Sequence, residues 1–136
     1  MSAKNIYSNT IVFQQVTIPA TQSITPLIDC TQLINGSGCG VLRSIDLPSN
    51  WTAGNLTFQK ANLINGIMTP FVNWYVDDGT GSEQLITIQG GTVNSGRTFP
   101  PFFFDAVAYL KIVCANPQAT DAILTLGFQP IYQGQA

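Results

Sequence analysis

The chain has 136 residues, of which 45% are apolar and only 9% are charged, against about 25% charged residues in an ordinary soluble domain. Its net charge of −2 provides no basic surface of the kind on which nucleic-acid affinity depends. It has no histidine, which excludes Ser-His-Asp and Cys-His catalysis and imidazole metal ligands.

Alternation of polar and apolar residues, the period of a half-buried strand, dominates the chain, and no window has helical spacing. We therefore expect an all-β fold: a single-domain antiparallel β-sandwich, jelly-roll-like, over residues 9–136, preceded by a short N-terminal arm at residues 1–8. The predicted strands are residues 9–18, 41–47, 55–60, 71–77, 84–89, 107–114 and 122–129.

Several segments fit this pattern less well. In the first predicted strand, Ile11 and Phe13 have one parity and Val16 and Ile18 the other, and a β-bulge between the two pairs would return both to the core face. Residues 21–40 are expected to form a strand followed by a mobile loop. Residues 62–69 and 90–101 are expected to be long connections, the second too irregular for a strand because it begins with two glycines and ends with two prolines.

Three cysteines, Cys30, Cys39 and Cys114, have no CxxC spacing and match neither a zinc site nor a disulfide framework. We expect buried free thiols that pack as small apolar groups. The alternation predicts that Cys114 lies on the inner face of its strand with Leu110 and Ile112. A disulfide between Cys30 and Cys39 remains an alternative.

Two further segments have candidate chemistry. Residues 77–83, Asp-Asp-Gly-Thr-Gly-Ser-Glu, are typical of a hairpin turn, with a calcium site as the alternative; we predict the turn and no metal site. The aromatic residues are expected mostly in the core. Trp74 shares the parity of Val72 and Val76 and should point inward, so a possible glycan site is restricted to Tyr75, Asp77 and Asp78.

Three consecutive phenylalanines follow a double proline, and an extended chain cannot direct all three into one core. We predict an interface with a partner, the alternative being a loop that folds back over the core. Its residues are Pro100, Pro101, Phe102, Phe103 and Phe104, together with Ser2, Lys4 and Tyr7 of the arm. No residue is a candidate catalytic base, so we expect no enzyme activity and no cofactor.

Residues 41–59, VLRSIDLPSNWTAGNLTFQ, precede the acidic turn and residues 108–112, AYLKI. This order resembles a group of small virion proteins of tailed bacteriophages, in which Pro-x-x-Trp-Thr-x-x-x-Leu-Thr-Phe-Gln precedes a Tyr-Asp-x-x-Gly-x-Glu turn, a Pro-x-x-Phe loop and a Tyr-Leu-Lys-Ile strand. The resemblance covers about residues 40–128. The chain departs from it at residues 60–73, which are more apolar than the usual Gly- and Asp-rich hairpin.

The resemblance implies a virion component without enzymatic activity. The sequence thus favours a capsid decoration or cement protein on the phage head, made in the host cytoplasm. Its expected partners are the major capsid protein and further copies of itself, as a trimer, with no nucleic acid and no membrane. A carbohydrate-binding head-fibre or tail-tip module for host attachment and a tail or neck subunit remain alternatives.

Overall fold

The computed structural model describes residues 3–7, 10–33, 38–77, 83–85, 87–99 and 107–135, and this part of the chain contains strands and no helix. The first seven strands are β1 (Ala3–Tyr7), β2 (Val12–Ile18), β3 (Ile28–Asp29), β4 (Gly40–Asp46), β5 (Gly54–Ala61), β6 (Leu63–Ile64) and β7 (Ile67–Met68). The others are β8 (Val72–Asn73), β9 (Tyr75–Asp77), β10 (Glu83–Leu85), β11 (Thr87–Gly91), β12 (Gly96–Thr98), β13 (Tyr109–Cys114) and β14 (Ala122–Gln135). The predicted all-β class is confirmed.

The strands form two five-stranded antiparallel sheets. In the first sheet, β14 pairs with β4 on one side and with β1 and β2 on the other, and β12 extends the sheet beyond β4. In the second sheet, β5 pairs with β13 on one side and with β11 and β8 on the other, and β3 lies beyond β13. Strands β6 and β7, and β9 and β10, form two separate two-stranded pairs.

One core lies between the two sheets. In β13 every second residue is buried, and Leu110, Ile112 and Cys114 point inward as predicted. In the first sheet, every second residue of β14 from Ala122 to Phe128 is also buried. These side chains belong to the same apolar cluster as those of β13. Phe58 of this cluster meets the partly buried Phe99 edge-on, with 6.3 Å between ring centroids. Two sheets that share one core confirm the antiparallel sandwich.

Strand β2 contradicts the predicted bulge. Its pairing with β14 runs without a register shift from Val12 opposite Phe128 to Ile18 opposite Ala122. The alternation therefore continues through the strand, and Ile11 and Phe13 face outward, 38% and 63% exposed. The position opposite Phe13 is Gly127, which has no side chain and leaves room for these two side chains on the outer face.

Two predicted connections contain strands. Residues 62–69 form the β6–β7 hairpin, in which Asn65 and Gly66 have φ of 53° and 78°, as a type I′ turn requires. The prediction that residues 90–101 are too irregular for a strand is wrong, because β12 pairs with β4. Gly96 permits this pairing, since a Cβ there would lie 2.6 Å from Oδ1 of Asp46.

Other segments differ in detail from the prediction. The predicted strand 71–77 divides at Trp74 into β8, in the second sheet, and β9, which pairs with β10. Because of this break, Val72 is 54% exposed although it shares the parity of buried Trp74. Residues 21–40 contain the short strand β3 and a bridge from Ile24 to Val113; residues 34–37 of the expected loop lie outside the described part.

Candidate interaction site

The predicted interface residues are only partly within the described structure. Pro100 to Phe104 and Ser2 lie outside it. Lys4 and Tyr7 belong to β1, whose backbone pairs with β14, Lys4 opposite Gly134 and Tyr7 opposite Ile131. The structure therefore places this part of the predicted arm along the first sheet.

The possible glycan residues lie near the β9–β10 hairpin. Tyr75 is 47% exposed, whereas its neighbour Trp74 is buried, as is Trp51. Asp77 pairs with Glu83 across the predicted turn, so the hairpin is confirmed, and Asp78 lies outside the described residues. A sugar-stacking platform would thus depend on Tyr75 alone among these three aromatic side chains.

Among the described residues, the most exposed apolar element is the β6–β7 hairpin, residues 63–68, called the apolar hairpin below. Its four apolar side chains are Leu63, Ile64, Ile67 and Met68, which are 47%, 57%, 71% and 43% exposed. Leu63 pairs with Met68 and Ile64 with Ile67, so each face of the hairpin carries one apolar pair.

The hairpin is closed at its base by two hydrogen bonds. The Asn62 N–H donates to Oγ1 of Thr69, and the Thr69 N–H donates to the Asn62 carbonyl, each over 2.8 Å. A lone two-stranded hairpin is only marginally stable in water. Full burial of a Leu, Ile or Met side chain is worth about 1.5–3 kcal/mol, and about half of that remains available when the side chain is half exposed. The hairpin therefore gains stability from any partner that covers it.

A second apolar surface lies on the outer face of the first sheet, called the Phe13 groove below. Phe13, Gly127, Ser44 and Thr98 are paired in one row across β2, β14, β4 and β12. The groove encloses about 370 Å³, and its lining residues are Ile11, Phe13, Arg43, Ser44, Thr98, Phe99 and Gln129. Three of these seven side chains, Ile11, Phe13 and Phe99, are apolar, and the other four give the groove a polar end.

Two features shape this groove. Gly127 is required in its floor, because a Cβ there would collide with Oγ of Ser44 and lie 3.2 Å from both Cγ2 of Ile11 and Cε1 of Phe13. At the polar end, Nε and Nη2 of Arg43 donate to Oε1 of Gln129, the first over 2.8 Å. The guanidinium is therefore held against the sheet.

The three cysteines are free thiols, which contradicts a disulfide between Cys30 and Cys39. Cys30 and Cys114 are buried as predicted, but Cys39 is exposed because it lies just before β4, where the chain enters the first sheet. Burial, and to a lesser extent the charge of Asp29, raises the pKa of the Cys30 thiol from 9.0 to about 12. In the described part, no three Cys, Asp or Glu side chains cluster in a way that would hold a metal ion.

These environments predict the reactivity of the thiols. With DTNB at pH 8, the native protein should react rapidly at Cys39 alone, because Cys30 and Cys114 are buried and the Cys30 thiol remains protonated. All three should react after unfolding in guanidinium chloride. Cys39→Ser should abolish the rapid phase, and rapid modification of two thiols in the folded protein would contradict the buried positions.

Sequence reasoning missed both apolar surfaces. The Asn65-Gly66 pair between two apolar dipeptides was a signal for the hairpin, whereas the groove had no local signal because its row of residues comes from four strands.

No known protein family, curated protein or solved structure matches this chain. The described residues also include no helix of the length and apolarity needed to cross a membrane.

Proposed function

We propose that this chain is a non-enzymatic structural protein of a tailed-bacteriophage virion. In this proposal it decorates the head shell as a homo-oligomer, a trimer, and bridges neighbouring copies of the major capsid protein. The single observation that carries the proposal of an assembled structural protein is the uncovered apolar hairpin, on a chain in which only 9% of residues are charged, because contacts within an assembly would cover it. The resemblance of residues 40–128 to phage virion proteins supports the same function.

A cement protein needs binding surface but no reactive group. A ligand that binds only the assembled shell stabilises that shell by mass action. A homo-oligomer presents several copies of the same contact, so its avidity exceeds that of one chain. We assign the shell contact to Phe102, Phe103 and Phe104, with Ser2, Lys4 and Tyr7 of the arm, since three consecutive phenylalanines in an extended chain cannot all point into one core.

Addition of the purified protein to bare phage heads tests the proposal. We expect saturable binding at hundreds of copies per head, and a rise in the melting temperature of the shell measured by calorimetry. A variant with Phe102, Phe103 and Phe104 all changed to Ser should lose binding at least tenfold, whereas Val93→Thr, which changes an exposed apolar residue elsewhere in the chain, should not.

Two outcomes would contradict this function. Binding to tails or necks at a few dozen copies or fewer, with none to heads, would favour a tail or neck subunit. Binding to host glycans that Tyr75→Ala abolishes, with no binding to heads, would favour a host-attachment module.

A further inference from the structure

We propose that β1 of one copy pairs with β14 of a neighbouring copy, so that the N-terminal arms link the subunits of the homo-oligomer. This inference rests on the proposed homo-oligomer and names the segment that joins its copies. The contact that it requires is already present within one chain, where residues 3–7 pair antiparallel with residues 131–135. Exchange of an identical element between copies keeps such a contact and changes only which chain supplies it.

The arm and the end of β14 form a ribbon that continues past the other strands of the first sheet. The pairing of β2 with β14 ends at Phe128, and the pairing of β4 ends at Pro130. From residue 132 to residue 135, β1 is therefore the only strand of the described structure that pairs with β14. Because a ribbon of two strands alone is marginally stable in water, the arm separates from β14 more readily than β2 does.

Pro130 divides the pairing of the arm from the pairing of β2. The Ile131 N–H donates to the Cys39 carbonyl over 3.0 Å, on the side of β14 that faces β4. Consecutive residues of a strand direct their backbone groups to opposite sides, so the nitrogen of Pro130 faces the side of β1 and β2. Proline has no N–H, and β14 offers no donor there. The arm can therefore leave without breaking the hydrogen bonds between β2 and β14.

The chain between the two strands is long enough for the arm to reach another copy. Four residues connect the end of β1 to the start of β2, whereas only Gln129 and Pro130 lie between the corresponding partners in β14. The connection is thus two residues longer than a continuous strand needs. At full extension residues 3–11 span about 30 Å, roughly twice the radius of gyration of about 14 Å expected for a compact chain of this length.

Exchange of the arms closes the oligomer. Every copy has one arm and one β14 end, so each copy donates one arm and accepts one. Around a rotation axis this arrangement leaves no arm and no strand end unpaired. Each copy is then held by two links, and it leaves the oligomer only when both arms detach.

Disulfide cross-linking across the β1–β14 pair tests the proposal. Asn5→Cys and Gln133→Cys place two thiols at directly opposite positions, where the Cα atoms of antiparallel strands are about 4.5–5.5 Å apart, within the range of a disulfide. Cys39→Ser in the same chain removes the exposed native thiol. After oxidation and denaturation without reductant, the cross-linked product should have the mass of two or more chains of 14.7 kDa. A product of one chain mass, joined between its own positions 5 and 133, would overturn the inference.

A mixture of two single-cysteine chains shows directly whether the pairing joins different copies. One chain has Asn5→Cys and the other Gln133→Cys, both with Cys39→Ser, and the two are unfolded and refolded together. A disulfide between positions 5 and 133, identified by mass spectrometry of the peptides, can then form only between different chains. We expect this disulfide as the main product, and its absence from the mixture would overturn the inference.

A matched control uses another part of the same strand. Gln15 lies opposite Thr125 in the continuous pairing of β2 with β14. Gln15→Cys with Thr125→Cys, again with Cys39→Ser, should therefore be cross-linked within one chain. Products of two chains from this control pair would contradict an exchange that is limited to the arm.

Circular dichroism separates exchange from misfolding, because every variant should keep the strand signal of the wild type. If the Asn5→Cys and Gln133→Cys chain does not fold, the neighbouring opposite pair Ala3→Cys and Gln135→Cys repeats the measurement with the same expected products.

The mass of the wild type, measured by size-exclusion chromatography with light scattering, separates this inference from the proposed function. A wild-type monomer that binds heads would overturn the exchange and leave the cement function in place. Arms that exchange in a protein that does not bind heads would support the inference and contradict the cement function.

Discussion

Phe58→Ala should lower the free energy of unfolding by about 3–5 kcal/mol, the range for truncating a fully buried phenylalanine. Phe58 is completely buried in β5, opposite Ile112 of β13, and its ring meets Phe99. The substitution leaves a cavity where the two sheets meet. Because domains of this size are stable by only about 5–15 kcal/mol, urea denaturation should show a much lower midpoint with a similar slope.

Phe13→Ala is the matched control for this prediction. It removes the same atoms from a side chain that is 63% exposed, and an exposed substitution of this kind changes stability by about 0.5 kcal/mol or less. An equal decrease in the free energy of unfolding for Phe58→Ala and Phe13→Ala would mean that Phe58 does not lie in the core or that Phe13 does not lie on the surface.

Gln118→Met should lower the free energy of unfolding by about 1–3 kcal/mol, the cost of leaving buried polar groups without partners. Gln118 is 1% exposed. Its Oε1 accepts from the Thr52 N–H over 2.8 Å, and its Nε2 donates to the Thr52 carbonyl over 3.2 Å. Methionine keeps the volume of the side chain but makes neither hydrogen bond.

Asn116→Ser provides the comparison, measured by the same urea denaturation. The Asn116 Nδ2 donates to the Ala53 carbonyl over 2.8 Å, close to the Gln118 contact, but at an exposed site where water replaces the lost partner. The free energy of unfolding should therefore fall by about 0.5 kcal/mol. If Gln118→Met lowers the free energy of unfolding by no more than this, the hydrogen bonds between the Gln118 amide and the Thr52 backbone do not stabilise the fold.

The sequence was most informative where a strand packs on one face only. In β13, the alternation around Leu110 and Ile112 predicted both the strand and its buried face, because period two is set by the backbone itself. The division of 71–77 at Trp74 had no such signal. Which sheet a short strand joins depends on distant pairing partners, here β5 for Val72 and β10 for Tyr75.

The site was harder to predict than the fold. The proposed bulge in β2 assumed that Ile11 and Phe13 belong in the core, an inference that is reasonable for an isolated domain. The structure leaves both on the outer face over Gly127, a position 114 residues from Phe13 in the printed sequence. Local patterns do not reveal such a neighbour, so the outward-facing Ile11 and Phe13 were interpreted as evidence for a β-bulge.

The central position of β14 also affects how the protein folds. This strand supplies the pairing partners of β1, β2 and β4, and the hydrogen bond from Ala20 to Asp121 just before it spans 101 residues. Closing so long a loop lowers the entropy of the chain before packing contacts stabilise it. Topologies with such distant contacts fold in milliseconds to seconds. On the ribosome, the second sheet has all its strands available first, while the first sheet must wait for residues 122–135. Until then β2, which has no charged residue, remains an unpaired strand exposed to other nascent chains.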